Sequence, residues 1–558
     1  MTTQHTGEQT PLLTVQDLRL HYATPRGPVE ALRGTDVHIL PGESVALVGE
    51  SGSGKSTLAH ALIGLLPDSA QVAGGTIHYR DTEITHWQDQ QMRHLRGSKI
   101  GLIPQDPTVS LNPVHTIGQQ LVEAIRANRK ISKAAAQTTA LELLDQAGLD
   151  RPAARFRQYP YQLSGGMRQR VLISLAIAGE PELLIADEPT SALDATVQKH
   201  ILDHLQHLAQ TRGIALLLVT HDLAVAAERT DRMVVMHHGR IVETGDTDTL
   251  LADPKDDYTR RLLAAAPIFQ HDRQAPEPLP EQTPVILEAT QLRKVFRLHG
   301  GRRTTAQRIA AVDGVSFQLR QGETLGLVGE SGSGKSTTAR LVLGLEKPTS
   351  GSVTFAGTDI TGLKPKAWRA LRRRIKLIYQ NPYASLDPRF TIEQLVTEPL
   401  DAFSIGTRTE RRAKAAELLS RVALPEHFLA RKPAELSGGQ RQRVAIARAL
   451  TLSPDVVVCD EPVSALDVSV QAQVLQLLGE LQQDHGLTYL FITHDLAVVR
   501  QLAHRVAVMQ TGRIVELGDT RDVFENPQHD YTKQLLNAIS GAGLVNTQHH
   551  PEPLEVHP

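Results

Sequence analysis

Gly49-Glu50-Ser51-Gly52-Ser53-Gly54-Lys55-Ser56-Thr57 follows the short apolar run Ser44 to Val48. It recurs residue for residue as Gly329-Glu330-Ser331-Gly332-Ser333-Gly334-Lys335-Ser336-Thr337 after Thr324 to Val328. The pattern G-x-x-x-x-G-K-[ST] between a strand and a helix is that of a phosphate-binding loop. Its glycines let the backbone curl so that N–H groups point at phosphate oxygens, at the positive end of the following helix. Lys55 and Lys335 then neutralise the β- and γ-phosphates, and Ser56 and Ser336 offer a hydroxyl to Mg²⁺. The competing reading, a glycine-rich turn without a ligand, must account for two full copies in the same context.

Further along, LSGG recurs at Leu163 and Leu436, DEP at Asp187 and Asp460, SALD at Ser191 and Ser464, and THDLAV at Thr220 and Thr493. The nonamers are 280 residues apart and the later motifs 273. Chance can repeat one short string, but an ordered series at nearly constant offset is a duplication or fusion of a whole domain. A chain of 558 residues has room for two. We expect domains at 12–266 and 285–540, an N-terminal tail at 1–11, a Pro-rich linker at 267–284 and a flexible tail at 541–558.

Hydrophobic residues make up 41% of the chain and charged residues 22%, with a formal net charge of -2. That balance suits a soluble globular protein and lacks the basic footprint of general nucleic-acid binding. Cys459 is the only cysteine, which excludes intrachain disulfides and cysteine-built zinc or iron–sulfur sites and favours the cytoplasm. Met1 to Pro11 lacks a signal-peptide pattern, and no apolar run nears the roughly 20 residues that span a bilayer. Any membrane role is expected to come through a partner.

LLIADEP (Leu183 to Pro189) and VVVCDEP (Val456 to Pro462) are apolar runs ending in two carboxylates, the form of a buried parallel strand that opens on a site. Asp187 and Asp460 are placed to hold Mg²⁺ through water. Glu188 and Glu461 then fall beside the γ-phosphate, where a carboxylate polarises the attacking water. A solvated acidic turn is the alternative, and the four apolar residues before each pair speak against it. Cys459 lies on such a strand and reads as buried packing.

LSGGM (Leu163 to Met167) and LSGGQ (Leu436 to Gln440), each followed by RQR, narrow the class, and Ser-Gly-Gly opening a helix is a second anion-binding nest. With these segments the chain resembles the ATP-binding-cassette family, from about Leu12 to Ala265 and again from about Val285 to Ile539. The resemblance implies an α/β fold of two P-loop domains in tandem. Each would have a mostly parallel core sheet, an antiparallel β part and a helical subdomain. It also implies an ATPase using ATP and Mg²⁺; with a single cysteine in the chain, no iron–sulfur cluster is expected.

Residue by residue, Gln105 in LIPQDP and Gln380 in LIYQNP match the family's Q-loop, which meets nucleotide through Mg²⁺ and water and adjoins the membrane subunit. His221 and His494 match the switch histidine at the γ-phosphate, and Asp194 and Asp467 the loop that links the two sites. A histidine after a strand is more often structural, but here it falls in an ordered series. Tyr22 and Phe296, 27 and 33 residues before the loop glycine, are the candidates for stacking on adenine; either could equally serve a local core. The longer spacing reflects a basic Gly-Arg insertion near Gly300 to Arg303.

In the family each nest serves the opposite domain's phosphate loop. One site would therefore join Gly49 to Thr57, Gln105, Asp187, Glu188 and His221 with Ser437, Gly438 and Gly439. The other would join Gly329 to Thr337, Gln380, Asp460, Glu461 and His494 with Ser164, Gly165 and Gly166. Neither catalytic glutamate nor signature serine is lost, so both sites are expected to hydrolyse ATP. Met167 in place of glutamine is the visible asymmetry between the signatures.

Each copy ends on a similar segment: Asp253-Pro254 with Tyr258-Thr259 and Leu262-Leu263, and Asn526-Pro527 with His529, Tyr531-Thr532 and Leu535-Leu536. This resembles the C-terminal extension of the oligopeptide and dipeptide importer branch, although a capped helix alone would explain the Tyr and Leu spacing. The resemblance implies two permease subunits, an extracytoplasmic substrate-binding protein and a peripheral place on the cytoplasmic face of the cell membrane. Peptides are the expected cargo, with glutathione, nickel chelates or other small solutes as alternatives. A soluble tandem-cassette translation factor would carry a long charged helical linker, and a DNA-repair ATPase zinc cysteines or coiled coils; neither is present.

Overall fold

The computed structural model describes residues 10–24, 27–191, 193–266, 275–298, 307–380, 385–464 and 466–539. The Gly-Arg insertion, the first part of the linker and most of both tails lie outside the described residues. Those described form two compact units, 10–266 and 275–539. Residues 275–284 contain no helix or strand.

The first unit contains the strands β1 (Leu13–Thr24), β2 (Gly27–Ile39), β3 (Ser44–Val48), β4 (Ala70–Tyr79) and β5 (Thr82–Glu83). After them come β6 (Ile100–Ile103), β7 (Leu183–Asp187), β8 (Ala215–Thr220), β9 (Arg232–His237) and β10 (Arg240–Asp246). Its main sheet runs β10-β9-β3-β8-β7-β6, parallel throughout except for the β9–β10 hairpin at one edge. A second, antiparallel sheet runs β2-β1-β4-β5. Strands β3, β7 and β8 are almost wholly buried, which is why their sequences are continuous apolar runs and do not alternate.

Helices Ile117–Asn128, Lys133–Gln146 and Gly165–Ala176 form the helical subdomain, with Leu121, Ile125, Leu143, Leu144, Val171 and Ile173 in one apolar cluster. The cluster continues under the sheet through Leu184, Leu216 and Leu218, so the subdomain and core sheet share one interior. Ser132, Thr116 and Ser164 cap these helices by accepting the N–H of Ala135, Gln119 and Met167.

The second unit repeats the plan with β11 (Val285–Leu298), β12 (Gln307–Arg320), β13 (Thr324–Val328), β14 (Ser350–Phe355) and β15 (Thr358–Asp359). It continues with β16 (Ile375–Ile378), β17 (Val456–Asp460), β18 (Thr488–Thr493), β19 (Arg505–Gln510) and β20 (Arg513–Asp519). The sheet orders are β16-β17-β18-β13-β19-β20 and β12-β11-β14-β15. Each unit is thus α/β, with a mostly parallel core sheet, an antiparallel sheet and a helical part. Among the described residues no helix is long and apolar enough to cross a membrane.

Candidate active site

Parallel register assembles the site. Val48 of β3 pairs with Thr220 of β8, and Asp187 of β7 pairs with Val219. The next residues along the chain, Gly49, Glu188 and His221, therefore leave the sheet side by side at its carboxyl edge, where α/β sheets bind ligands. In the second unit Val328 pairs with Thr493 and Asp460 with Ile492, which delivers Gly329, Glu461 and His494 to the same edge.

Helix Lys55–Leu62 follows the first loop and Lys335–Val342 the second. By helix geometry their first N–H groups lie beyond reach of intrahelical carbonyls and face the loop. Gly49 has φ 149°, and a Cβ there would lie 2.1 Å from the Met236 carbonyl; Gly329 repeats this at φ 144° and 2.1 Å from the Met509 carbonyl. Only glycine fits. Among the described residues the buried Oγ atoms of Ser53 and Ser333 have no hydrogen-bond partner, while their carbonyls accept the N–H of Gly239 and Gly512 and latch each loop to the neighbouring turn. A buried hydroxyl without a partner inside a curled backbone fits a loop made for a polar ligand.

Lys55 is buried and its Nζ donates to the carbonyls of Gly49 and Glu50 at 2.7 and 2.8 Å; Lys335 does the same to Gly329 and Glu330 at 2.6 and 2.9 Å. Ser56 Oγ donates to Asp187 Oδ1 at 3.2 Å, and Ser336 Oγ to Asp460 Oδ1 at 3.1 Å. A hydroxyl and a carboxylate so close together are the hard oxygen donors that Mg²⁺ takes, with water and phosphate completing its shell. The residues present fit that ion.

Glu188 is the hub of the first site. Its Oε2 accepts from Gln105 Nε2 at 2.8 Å, and its Oε1 lies 3.0 Å from His221 Nδ1. Glu461 is met likewise by Gln380 at 2.7 Å and by His494 at 3.3 Å. Both glutamates have left-handed backbones, φ 45° and 47°. That costs a residue with a Cβ about 1 kcal/mol or more, and the Glu188 and Glu461 N–H groups are held by the carbonyls of Val219 and Ile492 at 2.8 Å. The turn swings the carboxylate out of the strand line toward the Gln and His.

Charges follow from this packing. Burial raises Asp187 and Asp460 above the ordinary aspartate range. Burial also works to raise Glu188 and Glu461, but the histidine, the loop lysine and the glutamine amide together outweigh it and hold both carboxyls low. The hydrogen bond to the glutamate raises His221 and His494, against burial. The site therefore holds an ionised glutamate beside a histidine that readily carries a proton.

Other expected residues fall as follows. Ser164 and Ser437 cap the helices Gly165–Ala176 and Gly438–Leu450. Gly166 and Gly439 sit where a Cβ would meet Val197 and Val470 at 2.6 and 2.2 Å, so packing by itself favours glycine at both positions. Gly165 and Gly438 are the first residues of those helices, and Asp194 and Asp467 precede the helices Ala195–Arg212 and Val468–His485. Tyr22 shares a 3.1 Å hydrogen bond between its hydroxyl and Thr57 Oγ1, which ties it to the loop helix. Phe296 is 39% exposed, with Lys294 Nζ 5.1 Å from its ring centre.

Sequence reasoning did not find the hydroxyls of Tyr258 and Tyr531, which accept the N–H of Glu50 and Glu330 at 3.1 Å. Their repetition after each aspartate- or histidine-capped turn was the available signal; it read equally well as helix spacing.

Together the loop, the acidic strand end, the glutamine and the histidine define a P-loop nucleoside triphosphatase, built twice. The chain belongs to the ABC transporter family, whose model matches residues 32–191 and 312–464. It binds ATP, and its activity is ATP hydrolysis coupled to transport. A second model, the C-terminal region of oligopeptide/dipeptide transporters, matches residues 242–297 and 515–551. The chain is similar to the oligopeptide transport ATP-binding protein OppD of Mycobacterium tuberculosis, 43% identical, covering 95% of this chain and 98% of that protein. It is also similar to the glutathione import ATP-binding protein GsiA of Escherichia coli, 44% identical, covering 95% and 89%.

Proposed function

We propose that the chain is the ATPase subunit of an importer for di- and oligopeptides, held on the cytoplasmic face of the cell membrane by two permease subunits and supplied by an extracytoplasmic substrate-binding protein. The observation that carries this reading is the match of both unit endings to the oligopeptide/dipeptide C-terminal region, alongside full-length similarity to an oligopeptide relative. Glutathione, itself a tripeptide, is the second cargo, favoured by the comparable similarity to a glutathione relative.

In the proposed cycle Lys55 and Lys335 turn from the loop carbonyls toward the β- and γ-phosphates, and the loop N–H groups hold the remaining oxygens. Ser56 with Asp187, and Ser336 with Asp460, hold Mg²⁺, with Gln105 and Gln380 reaching it through water; when bound, the ion offsets charge on the phosphates. Glu188 and Glu461, kept ionised, accept a hydrogen bond from the attacking water and polarise it. His221 and His494 orient the glutamate and meet the γ-phosphate. As family membership implies, the signature residues Ser437, Gly438 and Gly439 serve the first phosphate loop and Ser164, Gly165 and Gly166 the second, with Asp194 and Asp467 linking the sites and Tyr22 and Phe296 stacking on adenine.

Copurification with the permease subunits and binding protein tests this reading, followed by identification of the ligand retained by the binding protein. A short peptide, accumulated in vesicles only with ATP, is the expected result. Retained glutathione would select the second cargo, and recovery with ribosomes in place of a permease would overturn both.

A further inference from the structure

We propose that Tyr258 and Tyr531, on the C-terminal extensions, are positioning residues for the phosphate loops, a role that rests on the ATPase reading above and deepens it. The peptide group joining Gly49 to Glu50 is held from both ends. Its carbonyl accepts from Lys55 Nζ at 2.7 Å, and its N–H donates to Tyr258 Oη at 3.1 Å. In the second unit the Gly329 carbonyl accepts from Lys335 Nζ at 2.6 Å, and the Glu330 N–H donates to Tyr531 Oη at 3.1 Å. Gly49 and Gly329, at φ 149° and 144°, give this peptide a flank with no Cβ to resist rotation. The tyrosine hydroxyl supplies the restraint that the glycine lacks.

The extensions are built to hold the hydroxyl in place. Tyr258 and Tyr531 are 7% and 5% exposed, on helices Asp257–Ala265 and Asp530–Asn537. Glu243 of β10 accepts the N–H of Lys255 and Asp256 at 2.7 and 3.1 Å, and Glu516 of β20 those of Gln528 and His529 at 2.8 and 3.1 Å. These carboxylates pin the turn that leads into each helix. In the first unit His237 also stacks on the Tyr258 ring, 3.8 Å between centroids and 15° from parallel.

The consequence concerns nucleotide binding. When ATP enters, the lysine must redirect an N–H from a loop carbonyl to a phosphate oxygen, and the peptide loses part of one anchor. The tyrosine keeps the other, so the loop stays curled while its lysine is engaged. Removing the hydroxyl should weaken the bound state without altering the glutamate that acts on water.

The test is Tyr258→Phe with Tyr531→Phe in the full chain, assembled with its permeases and assayed for ATPase rate against MgATP concentration. The expected result is a KM raised about 3- to 10-fold, equivalent to about 0.6–1.4 kcal/mol, with kcat within about twofold of the parent. An unchanged KM overturns the proposal, as does a kcat that falls with the folded fraction at constant KM. If the double variant does not assemble, nucleotide affinity of the full-length Tyr258→Phe chain by equilibrium dialysis decides by the same criterion. A parent complex without ATPase activity would instead sink the function on which the proposal rests.

Discussion

Glu182 shows how a single carboxylate ties the first unit's two sheets. It lies just before β7 and meets Lys99 Nζ and Arg80 Nη2, each at 2.5 Å, the arginine coming from the end of β4. Burial works to raise it, but the two cations outweigh burial and hold its pKa at about 2. A folded value below the unfolded one gives stability that is present above about pH 4.5 and lost as pH falls toward 2. Glu182→Gln should therefore destabilise the protein by about 1 kcal/mol or less at pH 7, because the cluster is part-exposed. Urea melts at pH 7 and pH 4 check this; a gap that fails to narrow at the lower pH rejects it. Cys459, fully buried on β17 with its thiol pushed far up by burial, should resist thiol reagents until the unit unfolds. Labelling that reaches completion in native buffer would contradict that.

At the scale of elements, the signature helices show what one substitution does. In the second unit Ser437 accepts from Gln440 N–H at 3.3 Å, and Gln440 Oε1 accepts from Ser437 N–H at 3.0 Å, a complete reciprocal cap. In the first unit Ser164 accepts from Met167 N–H at 3.3 Å, but the thioether cannot return the bond and packs on the subdomain's apolar cluster. Gln440→Met should lower the stability of the second unit by about 0.5–1 kcal/mol. The reverse change, Met167→Gln, should gain less than that, because it also gives up apolar packing. Chemical melts of the two variants measure both, and equal and opposite shifts would show that Met167 contributes no packing.

For the whole molecule the question is whether two sites of the same construction work equally. Every residue that meets Glu188 has a counterpart meeting Glu461, with matching partners and left-handed backbones. We expect Glu188→Gln and Glu461→Gln, made separately in the assembled transporter, each to reduce steady-state ATP turnover at least tenfold, since each removes the carboxylate proposed to polarise water. A rate untouched by one change and abolished by the other would refute equivalence. The phosphate loops, acidic strand ends, glutamines and histidines were legible because each is a short string bound to a strand end, and the repeat exposed them twice. Sequence alone determined the duplication, the α/β class and the nucleotide chemistry, since these rest on local patterns of glycine, apolar runs and carboxylates. Only the tertiary structure decided that Glu188 and Glu461 turn through a left-handed backbone, and that Met167 leaves its cap half made. It alone also brought each extension's tyrosine to the phosphate loop some 200 residues earlier. Contacts at that separation are set by strand register and helix packing, which no local pattern encodes.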